Sequence, residues 1–86
     1  MKNETKFEEQ YEDIMNRIHL AQTMADCSQT KANSLSYRMK EVFKREDSPL
    51  RKSLIVAINE DRKALYLERD QRRAVADKIR EEELYA

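Results

Sequence analysis

An apolar or small residue recurs at Phe7, Tyr11, Ile14, Ile18, Ala21, Ala25, Ser28, Ala32, Leu35, Met39 and Val42, at spacings that alternate four and three without a slip. That period is the heptad seam of a helix packed along another helix. Eleven positions in succession leave little room for any other fold class. The seam is bulky at both ends and small in the middle, so a partner helix can approach closely there. Met15, Met24, Met39 and Phe43 widen it, and methionine adapts to irregular partners.

The 86-residue chain contains no glycine and a single proline. Glycine supplies positive-φ turns and phosphate-cradling loops, so β-hairpins, dinucleotide-binding loops and P-loops are excluded together. Glu, Lys, Arg, Ala, Leu and Met, the strong helix formers, dominate what remains. The punctuation is Ser48-Pro49: serine suits the N-cap and proline the first helical position, and the residue before proline disfavours helix. Thr5 and Glu8 have the spacing of a capping box, with acidic residues crowding the next turn. The pattern predicts one helix over about 5–46 and a second over about 48–84. The segment 27–34, poor in helix formers, is open to a kink, although the unbroken seam argues that the helix runs through it. A short connection makes the helices antiparallel neighbours. The expectation is an all-α, single-domain helical hairpin over 1–86.

The second helix reads less cleanly. Its expected seam is Leu50, Leu54, Ile58, Asp61, Leu65, Glu68, Arg72, Val75 and Ile79. A rotated alternative through Ala57 and Ala64 would leave the charges at the edge; in the unrotated one, Glu68 and Arg72 can pair. Two clusters, 54–58 and 64–67, are apolar on several faces, so Ile55, Val56, Tyr66 and Leu67 are expected to make a second contact. Two helices alone form a thin core. Pairing of two hairpins into a four-helix bundle or coiled-coil assembly, or docking on another protein, would remedy this.

Charge balances at 17 basic and 17 acidic residues but is unevenly spread. Residues 1–30 carry three bases and six acids, residues 31–52 seven and three, and residues 53–86 seven and eight. Folded as a hairpin, the loop end would be basic through Arg38, Lys40, Lys44, Arg45, Arg51 and Lys52. The open end would be acidic through Glu8, Glu9, Glu12, Asp13 and Glu81-Glu82-Glu83.

No catalytic constellation emerges. His19 has Met15, Asn16, Gln22 and Thr23 at helical spacing, none a strong ligand, and reads as a surface residue. Cys27 is alone, with no flanking base to activate it, and reads as a half-buried structural cysteine. The terminal glutamates read as a solvated helix end. No metal, cofactor or small-molecule substrate is expected. Arg62, Tyr66, Arg69, Arg73 and Arg80 line one stripe, and arginines interleaved with an aromatic can grip phosphates and stack on bases. Asp70 and Asp77 can pair along the helix and neutralise it.

The reading is therefore a non-enzymatic protein–protein interaction module, an adaptor, inhibitor or assembly factor of the kind found among small phage and bacterial proteins. It would bind itself as a homodimer or another protein through Ile55, Val56, Tyr66 and Leu67. The alternative is a dimeric nucleic-acid-binding regulator using Arg62, Arg69 and Arg73 with Lys44, Arg45, Arg51 and Lys52 at the loop end. With no apolar stretch long enough to span a membrane and no apolar leader core in the first ten residues, a cytoplasmic location is expected.

Overall fold

The computed structural model describes residues 2–84. Helix α1 runs Lys2–Phe43, helix α2 runs Pro49–Ile79, and one π-helical turn, Arg80–Leu84, continues α2. The two helices fold back on each other as a hairpin 70 Å long and 17 × 13 Å across.

The turn forms where Ser48-Pro49 placed it. Ser48 is extended (φ −160°, ψ 162°) and its Oγ accepts a hydrogen bond from the Arg51 N–H at 3.1 Å, with Pro49 opening the helix. On the other side α1 ends at Phe43, a few residues short of the expected 46. The Lys44 and Arg45 N–H groups tighten the last turn onto the Glu41 and Val42 carbonyls. At its start, α1 is already helical at Lys2, so Thr5 lies inside the helix and not at its cap.

Helix α1 passes through 27–34 without a break. Ser28, Thr30, Ser34 and Ser36 each turn the hydroxyl back onto the carbonyl four residues earlier, at 2.9–3.2 Å, and Gln29 donates to Asn33. Side chains that would otherwise compete with the backbone are thereby satisfied within the helix. Their small size also serves packing, since Ser28 and Ala32 are buried.

The core follows the α1 seam closely: Ile18, Ala21, Ala25, Ser28, Ala32, Met39 and Val42 are buried, with Ile14 and Leu35 half-buried. Toward the open end Phe7 and Tyr11 are exposed and share a groove with Ile14, Glu83 and Leu84. Met24 is half-buried beside the seam, whereas Met15 and Phe43 are exposed.

Helix α2 presents a different face from the expected one. Its covered positions are Arg51, Ile55, Ile58, Arg62, Leu65, Arg69, Arg72, Ala76 and Ile79, again alternating four and three. Leu50, Ala57, Asp61, Ala64, Glu68 and Val75 are exposed. Leu54, Ile58, Leu65, Arg72 and Ile79 of the first expected register are covered, but its alternate positions move on by one residue, from Asp61, Glu68 and Val75 to Arg62, Arg69 and Ala76, which brings further arginines inward. The reason is stem length. Ala21 and Ala25 pack against Ala76 of α2, and beside Gln29 there is room for the long stem of Arg69, since arginine can lie along a helix while its guanidinium reaches the edge. Aspartate and glutamate are too short to do so, and would lose solvation without recovering it.

Much surface is left uncovered. The radius of gyration is 19.8 Å, against about 12 Å for a compact domain of this length. Of the seven buried apolar residues, four are alanine. Replacing Ala25 (1% exposed, packed where α2 passes Ala76) by leucine should overfill this contact and lower stability by roughly 1–3 kcal/mol. An unchanged urea-unfolding midpoint would mean that the middle of the hairpin is not closely packed.

Candidate interaction surfaces

The arginine stripe of α2 is only in part a free surface. Arg62 and Arg69 occupy seam positions and clasp Tyr66, with their guanidinium carbons 5.9 and 4.8 Å from the ring centre. Arg69 also donates to Gln29 of α1 at 2.5 Å and pairs with Asp70 at 2.9 Å. The Arg62 Nε is buried against α1 without a hydrogen-bond partner. Farther along, Arg80 pairs with Asp77 at 3.0 Å. Arg73 is the exposed member of the stripe, sharing a shallow groove with Gln22, Asp26 and Asp77. The expected neutralisation by Asp70 and Asp77 thus occurs, through Arg69 and Arg80.

At the loop end Lys40, Lys44, Arg45 and Lys52 are exposed. Arg51 is not: it lies over the Phe43 ring at 5.3 Å and reaches Asp47 at 3.5 Å, stapling the turn. At the open end Arg17 bridges the helices, bonded to Glu83 at 2.6 Å and to Asp13 at 3.2 Å. The hydrogen bond to Glu83 is the main cause that holds its proton more tightly than usual. Glu8, Glu9, Glu12, Glu81 and Glu82 remain exposed around it.

The four residues expected to form a second contact do not make one patch. Ile55 and Tyr66 are half-buried toward α1, whereas Val56 and Leu67 are exposed on the far side of α2. The apolar character of the clusters 54–58 and 64–67 is divided between the seam and the outer face. A flank that the sequence reading passed over carries more. Lys31, Ser34, Leu35 and Arg38 of α1 meet Asp61, Ala64 and Leu65 of α2 in a groove with mainly apolar walls. Its signal in the sequence was the heptad recurrence of Leu50, Ala57 and Ala64, legible only once the α2 register is known.

His19 is exposed, and Cys27 is exposed, not half-buried. Among the described residues, no group of three or more His, Cys, Asp or Glu side chains converges as a metal-binding cluster. No helix of the described residues is long and apolar enough to cross a membrane. Comparison with known protein families, with curated proteins and with solved structures yields no match to the chain.

The Arg62 guanidinium, and after it the Ser36 hydroxyl, favour the ionised phenol of Tyr66 and draw it below its ordinary value of 10.0. A phenol whose folded value is lowered adds stability above the unfolded value, and loses it as pH falls through the folded one. Alkaline titration followed by tyrosinate absorbance should show a component ionising early, and Tyr66→Phe should abolish it. Persistence of that component in the variant would detach Tyr66 from Arg62.

Proposed function

We propose that this chain is a non-enzymatic protein–protein interaction module, an adaptor, inhibitor or assembly factor that works through apolar helix surface. The observation that carries this reading is the surface the hairpin fails to bury. It exposes 6979 Å², whereas a compact monomer of its 10.3 kDa mass would expose roughly 5400 Å². This excess, roughly 1,600 Å² for one chain, is more than the about 800 Å² that one partner contributes to a standard interface. It includes large apolar side chains: Leu50 is 66% exposed, Val56 57% and Leu67 60%. Such residues in numbers on a narrow rod favour association over isolation.

The shallow grooves speak in the same direction. Catalysis by paired acids or a nucleophile requires convergent groups in contrasting environments, and neither His19 nor Cys27 has such company. A cytoplasmic site of action suits the unpaired thiol.

A second reading, binding of nucleic acid through the arginines of α2 and the loop end, draws on the exposed Arg73, Lys44, Arg45 and Lys52. It is the weaker one, because Arg51, Arg62 and Arg69 are engaged within the hairpin.

Salt separates the two. A complex resting on six or more phosphate contacts weakens by roughly a thousandfold or more between about 50 and 200 mM salt. Burial of apolar surface does not. Fluorescence anisotropy against single-stranded and duplex RNA and DNA should show no tight, salt-sensitive binding, and association with protein, self or other, should persist at the higher salt. Tight nucleic-acid binding lost over this range would replace the proposal with the second reading.

A further inference from the structure

The groove lined by Lys31, Ser34, Leu35, Arg38, Asp61, Ala64 and Leu65 is one segment of a longer face. Helical recurrence every seven residues extends it. Ala57 and Leu50 follow from Ala64, Leu54 and Val75 from Asp61, and Leu20 from Ser34. All of these except the half-buried Leu54 are exposed. One flank of the hairpin therefore carries apolar residues from Leu50 near the loop end as far as Val75 and Leu20, beyond which the same recurrence brings Lys78, Glu82, Arg17 and Asp13. Four charges interrupt it, basic on α1 (Lys31, Arg38) and acidic on α2 (Asp61, Glu68), and among the described residues none of the four forms an ion pair.

We infer that a second copy of the chain covers this flank, lying antiparallel so that the basic loop end of each protomer rests beside the acidic open end of the other. Two observations select this occupant and orientation. The rod is electrically polar along its length, so a copy in the same direction would set Lys44, Arg45 and Lys52 against themselves, whereas a reversed copy sets them against Glu81 and Glu82. Finally, with the two-fold axis passing between Asp61 and Ala64 of α2, Leu50 of one protomer meets Val75 of the other, and the small residues Ala57 and Ala64 let the two α2 helices approach closely. A two-fold pairing of this kind is closed and leaves no repeating edge for fibre growth. The inference rests on the proposed function, and specifies the partner and the face.

The test joins mass to orientation. Light scattering should give a dimer near twice the 10.3 kDa chain mass. In a Cys27→Ser, Lys44→Cys background, Lys44 lies level with about residue 53 of α2, so spin labels on the two loop ends should lie on the order of 30–35 Å apart at the helical rise about that axis. Parallel pairing would bring them within about 20 Å. Ala57→Glu with Ala64→Glu uses two exposed positions and a good helix former, so helicity by circular dichroism should hold while the dimer weakens at least tenfold. Asn59→Lys, an exposed position on the opposite flank of α2 from Ala57 and Ala64, should leave the dimer intact. Lys44→Glu with Arg45→Glu should weaken it, and adding Glu81→Lys with Glu82→Lys should restore it. A monomer at all concentrations overturns the pairing while leaving binding to a different protein standing. A dimer with loop ends close together, or one indifferent to the Ala57 and Ala64 changes, overturns the face and orientation while keeping the apolar-association reading.

Discussion

Everything in this hairpin depends on the small side chains in the middle of α1. Ala21, Ala25, Ser28 and Ala32 remove bulk along the contact: Ala21 and Ala25 lie against Ala76 of α2, and beside Gln29 the partner helix lays down the long side chain of Arg69. Arginine stems supply apolar contact, and their guanidinium groups stay at the edge, where Tyr66, Gln29 and Asp70 receive them. The arrangement gives close approach with little dry core. Desolvated arginine gains less than a buried aliphatic side chain would. The structure is specific in register but poor in burial.

This trade explains why a seemingly functional arginine stripe is largely architectural. A guanidinium that stacks on Tyr66 and bonds across to α1 holds two helices at a fixed rotation, because its planar fork fits only a few geometries. Leucines in the same places would pack in several rotations. The residues that give the sequence its nucleic-acid character are, in part, those that fix the helix register.

The α1 half of the fold was legible from residues alone, because its seam is uninterrupted and its charges lie outside the stripe. Ser48-Pro49 marked the turn for equally local reasons. The α2 register was not legible. Asp61, Glu68, Arg62 and Arg69 fall on competing stripes, and hydrophobicity alone ranks all four as outward. What separates them is reach: arginine can enter an interface of small residues and still solvate its head, whereas the acids cannot. Once the register slipped, the outward patch slipped with it. Ile55 and Tyr66 turned toward α1, and the flank of Leu50, Ala57 and Ala64 was overlooked. Cys27 followed the same error in miniature, lying one position outside a seam that is narrow where its residues are small.

The single tight turn and the apolar core sit at different places along the rod. Residues beside the turn, such as Phe43 and Arg51, are neighbours in sequence, whereas Arg17 and Glu83 are separated by 66 positions. Closing a short loop loses far less chain entropy than closing a long one. The contacts easiest to close are therefore at Ser48-Pro49, whereas the cluster of Ile14, Ile18, Ala21, Ala76, Ile79 and Leu84 lies in the other half of the hairpin, beside the Arg17–Glu83 bond. Chain proximity holds one tip together and burial holds the other.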